Sequence, residues 1–271
     1  FLGTFLLVLL GCGSVHVAVL TGDLTGLWQV GVVWAIAIMG AIYSVGAVSG
    51  AHINPAITVG MAAWRLFPAE RVLPYIVSQV AGAFVAAAAL YALFSPQLAA
   101  KEVAKDVKRG TLGSEITAMC YCEYYPNPGV LAGGDEPLDV EALTARYALV
   151  SEFTACLAEF LGTFVLGLVV AGVTNDASLL GPQRMAPLFI GLTVAGLICV
   201  IAPLTQACFN PARDFGPRLF AAAAGWGEVA LPGLRSPTGF FTVYILSPIL
   251  GGTAGIGLYQ YLRNHSGPLA D

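Results

Sequence analysis

The chain has 271 residues, 57% of them hydrophobic and only 10% charged, with a formal net charge of −4 and a mean hydropathy of +0.79. A soluble domain carries roughly 25% charged residues, so this composition excludes a water-solvated globule. The absence of a basic stripe excludes a nucleic-acid binder. The six cysteines follow no zinc or disulfide spacing. Cys12, Cys156, Cys199 and Cys208 lie in apolar runs as small hydrophobes, and Cys120 and Cys122 are too isolated to form a metal site.

Charge-free runs then mark the elements in chain order. Residues 1–22 supply a first span near 1–20, since a membrane helix needs about 20 mostly apolar residues. No basic leader or cleavage site marks a signal peptide there; the expectation is a chain that starts inside its first span, its natural N-terminus trimmed. Residues 24–64 hold a second span near 28–48, then Asn54-Pro55-Ala56. The run Ile57 to Trp64 that follows is too short to cross again before Arg65. A third span near 72–94 leads into a long polar connection, 95–147. The stretch 147–175 forms a fourth span near 148–171 despite Glu152 and Glu159. Residues 185–212 give a fifth span near 185–205 and a second tripeptide, Asn210-Pro211-Ala212, and 236–262 give a sixth near 237–262.

An internal repeat organises these elements. Phe1-Leu-Gly-Thr-Phe reappears from Phe160, and Asn54 and Gly60 reappear as Asn210 and Gly216. The expected units are a first repeat 1–94, the long connection 95–147 and a second repeat 148–271, together one domain. Three crossings per half is odd, so the second copy enters the membrane inverted. The predicted fold is all-α: six transmembrane helices plus two re-entrant half-helices whose starts meet near the midplane. Most outward basic residues belong to the long connection, where charge weighs little on orientation.

Asn at the N-cap with Pro at the first helical position is a strong helix start: the Asn oxygen accepts a first-turn N–H and Pro leaves none orphaned. Its NH₂ is then left to point ahead. Two such caps facing one another present amide donors and positive dipole ends to one point. That arrangement orients a water or alcohol oxygen and repels a cation. Irregular backbone at membrane depth is tolerated where it lines a watery cavity.

These stretches, Ser49 to Ala56, Phe209 to Pro217 and the repeated Phe-Leu-Gly-Thr-Phe, resemble the major intrinsic protein family, the aquaporins and aquaglyceroporins, over essentially the whole length. An Arg deep in a membrane normally faces a cavity, and the resemblance implies that Arg213 is the filter arginine. It also implies Trp34 as the filter's aromatic wall, with Ala207 and Ile198 at the other two positions. Read alone, Trp34 is packing or an interfacial aromatic. The pair Ala207 and Ile198 departs from the bacterial glycerol facilitator pattern and looks closer to plant nodulin-26-like channels. Asp214, Arg218, Pro248-Ile249 and Tyr125 to Pro128 resemble the glycerol branch. Without the resemblance, Asp214 is a first-turn carboxylate complementing the helix dipole, and Tyr125 to Pro128 a turn.

In the family the carboxylate at Glu159 anchors the re-entrant loop; its first-half counterpart would fall just before Phe1. His52 is read as a wall and buttress or as a ligand of the inner vestibule. Gly251, Ala254, Gly255 and Gly257 suit close helix approach. The resemblance further implies a homotetramer in a plasma (cell inner) membrane, with lipid around it and glycerol and water as permeants. No cofactor, metal or catalytic residue is expected, and no nucleophile–base pair suggests an enzyme. The competing expectations are a water-selective pore and, in another class, a coupled secondary transporter, for which Glu159 is the best titratable candidate.

Overall fold

The computed structural model describes residues 1–134, 136–175 and 181–265, and among them six helices are long and apolar enough to cross a membrane. They are α1 (Leu2–Leu20), α2 (Leu27–Ser49), α4 (Val72–Ala104), α5 (Glu152–Val173), α6 (Ala186–Thr205) and α8 (Gly239–His265). Two short helices begin at the tripeptides, α3 (Pro55–Ala63) and α7 (Pro211–Ala221). Among the described residues there is no strand. The protein is thus an all-helical, multi-pass membrane protein of six spans with two half-helices.

Local chemistry sets the helix ends. The α2 helix stops at Gly50, with φ 73°, and α6 stops at Gln206, with φ 63°. Both are left-handed C-caps, which release the chain from the helix axis into the loop before each half-helix. Ser151 opens α5 by accepting the Thr154 N–H at 3.1 Å. The third span differs from expectation: α4 continues through Pro96 to Ala104, about ten residues past the predicted end. The drop in hydropathy marks where the helix leaves lipid, not where its hydrogen bonding stops. Its outer turns carry Glu102, which binds Arg109 at 2.9 Å and accepts from Thr117 at 3.0 Å.

The two halves pack alike. The α1 helix packs on α2 and α4, as α5 packs on α6 and α8. Each half-helix lies against the last span of the other half, α3 on α8 and α7 on α4, while α2 and α6 join the halves. Glycine makes these approaches possible. A Cβ at Gly191 would fall 2.8 Å from the Ala35 carbonyl oxygen, and one at Gly31 would fall 3.1 Å from that of Ala195, so α2 and α6 meet backbone to backbone. The repeated Phe-Leu-Gly-Thr-Phe has a packing reason of the same kind. A Cβ at Gly3 would meet Ile53 at 2.8 Å, and one at Gly162 would meet Phe209 at 2.0 Å. Each glycine therefore makes room for the residue just before an Asn-Pro-Ala.

On α8, Gly251 and Gly255 touch the α5 backbone and Gly257 touches the Trp64 ring. These close approaches lie within one chain. Gly255→Val is expected to destabilise the protein by about 3 kcal/mol or more, because its Cβ would sit 2.0 Å from the Phe164 carbonyl oxygen and overpacked cores cost about 1–3 kcal/mol even when they can relax. Gly196→Val, where a Cβ meets nothing within 4 Å, is the control. Thermal unfolding of both variants in detergent checks the contrast.

Candidate functional site: a cavity through the helix bundle

A cavity of about 650 Å³ runs from the end that bears the connection, where Thr25, Asn127 and Val130 line it, to the opposite end, where His52, Met61 and Thr174 do. Its walls are mostly apolar side chains from α1, α2, α5 and α6, interrupted by the two half-helix loops. Trp34, Ile198, Ala207 and Arg213 all line it, as do Asn54, Asn210 and His52. Pro55, Ala56, Pro211, Ala212, Glu159 and Asp214 are buried behind it.

At the centre, the Asn54 side-chain oxygen accepts the Ala56 N–H at 2.8 Å. The Asn210 oxygen accepts those of Ala212 at 3.1 Å and Arg213 at 3.3 Å. Capping thus fixes which way each amide faces. The amides are not wholly free donors as expected. Asn54 Nδ2 donates to the Phe209 carbonyl and Asn210 Nδ2 to that of Ile53, each at 2.8 Å. Each asparagine therefore ties its own half-helix to the loop of the other half. An amide nitrogen carries two hydrogens, so one per asparagine remains for the cavity.

The loop before α7 is held in an unusual backbone state. Gln206, Ala207 and Phe209 have φ of 63°, 63° and 52°, and the matching loop has Ala51 at 46° and Ile53 at 44°. Left-handed conformations cost L-residues about 1–2 kcal/mol each, so side chains must hold them. Glu159, fully buried, accepts the Cys208 N–H at 3.0 Å, the Phe209 N–H at 2.8 Å and the Thr205 hydroxyl at 2.6 Å. In a planar trans peptide the carbonyl points opposite to the N–H. With those N–H groups turned to Glu159, the carbonyls of Ala207 and Cys208 aim away from it, toward the cavity that these residues line.

At the connection end, the Arg213 guanidinium carbon lies 4.9 Å from the centroid of the Trp34 ring. Nη1 donates to the Tyr121 carbonyl at 3.2 Å, and Nη2 forms an ion pair with Glu123. Glu123 is 1% exposed; burial pushes its carboxyl up, and the adjacent Arg213 charge pulls it back down. Asp214 and Arg218 clamp the backbone of the same residue. Asp214 Oδ1 accepts the Glu123 N–H at 2.8 Å, Arg218 Nη2 donates to the Glu123 carbonyl at 2.6 Å, and the two side chains pair at 2.8 Å. Asp214 is therefore more than a dipole partner. Two cations and two carboxylates form one buried, formally neutral cluster.

Sequence reading misses Glu123 and Tyr121, because no motif within the long polar connection 95–147 marks them as neighbours of Arg213. The one available signal was a lone carboxylate within Cys120-Tyr-Cys-Glu-Tyr-Tyr125, an apolar run. Cys120 and Cys122 are fully buried. The connection is further pinned by Gln206, whose side chain accepts the Tyr124 N–H at 2.9 Å, and by Asn127, which donates to the Ala202 carbonyl at 3.0 Å. At the opposite end, His52 Nδ1 lies 3.2 Å from the Thr58 hydroxyl, and its ring packs against Phe67 at 4.6 Å. That places His52 both on the wall and against a buttress.

Comparison with known proteins agrees in kind. A family model described as Major intrinsic protein matches residues 1–259. The glycerol uptake facilitator protein of Haemophilus influenzae is 36% identical over 96% of this chain and 90% of its own length. The propanediol uptake facilitator PduF of Citrobacter freundii is 37% identical, over 97% and 89% respectively. The Escherichia coli glycerol uptake facilitator protein is also 37% identical, over 97% and 85%. Among solved structures, the aquaglyceroporin from Plasmodium falciparum superposes with a TM-score of 0.72 at 21% identity, covering 98% of this chain and 93% of that one, which shows a shared fold. The chain belongs to the major intrinsic protein family.

Proposed function

We propose that the chain is a passive channel for glycerol, other small neutral solutes and water that excludes protons and ions. One observation carries this reading: the same cavity has two half-helix caps at its centre and an arginine beside an indole toward its connection end. Trp34, Ile198, Ala207 and Arg213 form the filter. The carbon backbone of a polyol lies on Trp34 and Ile198, and its hydroxyls accept from Arg213 and donate to the carbonyls of Ala207 and Cys208. Midway, the remaining N–H of Asn54 and of Asn210 hold one oxygen. A water so held has both its acceptor sites occupied, and a hydronium meets two positive helix ends, each equivalent to roughly half an elementary charge. The solute leaves past His52. Because each contact replaces part of a hydration shell, the solute gradient alone drives the flux.

The names of the relatives, uptake facilitators rather than enzymes, support the same substrate class. The two repeats, 1–94 and 148–271, act as one channel domain, with 95–147 shaping its extracellular mouth. The subunit works in a plasma (cell inner) membrane as a homotetramer with one pore per chain.

Stopped-flow light scattering on reconstituted vesicles tests the reading. Vesicles are expected to shrink quickly in sorbitol and, in a glycerol gradient, to reswell faster than protein-free controls. Fast shrinkage with control-rate reswelling would leave a water-only pore. Glycerol flux that saturates and depends on pH or sodium would instead indicate a coupled transporter.

A further inference from the structure

We propose that Gly11 of α1 is a positioning residue that sets the aperture of the constriction by letting the Trp34 indole seat directly on the α1 backbone. The proposal rests on the reading of Trp34 and Arg213 as the filter. Gly11 is buried, and a Cβ there would lie 2.4 Å from Cζ3, 2.5 Å from Cε3 and 2.6 Å from Cδ2 of Trp34. Ordinary contact begins at 3.4 Å, so a single methyl needs the ring to retreat by about 1 Å. Cζ3 and Cε3 belong to the benzo part of the indole, whereas Cδ2 is bonded to Cγ and has a counterpart in a phenyl ring, so only a side chain as short as Ala clears all three contacts.

The direction of that retreat follows from the packing. Trp34 lines the cavity and Gly11 does not, so the ring stands between the glycine and the open space. The α1 helix has little freedom to back away. At its start it meets α4 at the Phe1 carbonyl, 2.3 Å from where a Gly82 Cβ would be, and a Cβ on Gly3 would meet Val45 and Ile53 at 2.8 Å. The displaced ring therefore moves toward the cavity and toward the Arg213 guanidinium, 4.9 Å from its centroid. A Cβ on Gly13, two residues on, would meet only Leu90, at an ordinary 3.4 Å, and Gly13 holds nothing at the pore. The aperture is thus fixed from behind the wall, by a residue that touches no permeant.

The test measures glycerol and water permeability per folded channel, in vesicles, for Gly11→Ala, Gly13→Ala, Trp34→Ala and the double variant Gly11→Ala/Trp34→Ala. A gap narrowed by one methyl rejects the larger solute first, so Gly11→Ala is expected to lower the glycerol-to-water ratio about tenfold or more. Gly13→Ala is expected to keep the parent ratio, and the double variant to return to the ratio of Trp34→Ala alone. A purely structural role would lower both permeabilities together and leave the ratio unmoved.

A parent ratio in Gly11→Ala, or a double variant as low as Gly11→Ala, overturns the proposal. Where Gly11→Ala does not fold, recovery of folded protein by adding Trp34→Ala supports the contact, and failure to recover overturns it. If Trp34→Ala leaves the ratio unchanged, the filter reading itself fails. If Trp34→Ala moves the ratio and Gly11→Ala does not, only the role of Gly11 is lost.

Discussion

Arg213→Ala is expected to yield little folded protein, and Arg213→Ala combined with Glu123→Gln is expected to yield more than the single variant. The reason is the ion pair between them, with both side chains nearly inaccessible, at 4% and 0%. Removing one partner of a buried pair costs about 3–5 kcal/mol, chiefly because the other charge is left unpaired. Removing the second charge as well relieves most of that cost, so the two effects are far from additive. Size-exclusion yield and thermal unfolding in detergent read the coupling; a double variant no more stable than Arg213→Ala would show that the pair is not coupled. The recovered double variant lacks the guanidinium beside Trp34. It is expected to pass protons and small cations that the parent excludes, read by an entrapped pH dye under an imposed gradient.

Glu159→Ala is expected to abolish the folded channel. Three donors converge on this carboxylate: the Cys208 and Phe209 N–H groups and the Thr205 hydroxyl. With the acceptor gone, each buried donor left unsatisfied costs about 1–3 kcal/mol, and native domains have only about 5–15 kcal/mol in total. The left-handed loop residues Ala207 and Phe209 would also lose their support. Glu159→Gln is a finer probe. Its amide offers one oxygen acceptor and places an NH₂ against an existing donor, so a folded but less stable protein with reduced permeability is expected. Fluorescence-detected size exclusion, followed by light scattering on any protein that folds, checks both variants. Parent-like stability in Glu159→Ala would remove the carboxylate from the loop's support.

Much of the architecture was legible because it is written locally. A membrane span is declared by some twenty apolar residues in a row, and a half-helix by an Asn-Pro start followed by too short a run, as in Ile57 to Trp64. The inversion of the halves followed from counting crossings. Glu159 was legible as a carboxylate out of place in an apolar run. The candidate filter residues Trp34, Ile198, Ala207 and Arg213 came from resemblance, and the structure gathers them at one cavity.

Other features depend on partners far away in the chain, and no local pattern announces them. Glu123 sits ninety residues from Arg213, and its carboxylate matters only because Asp214 and Arg218 hold its backbone from both sides. The cross-ties of Asn54 and Asn210 to Phe209 and Ile53 exist only once the two halves meet. Gly11 looks like any helix glycine until the Trp34 ring is laid against it. Hydropathy and capping act within a few turns of helix, whereas ion pairs, orphaned donors and the thickness of one methyl are decided where separate helices touch.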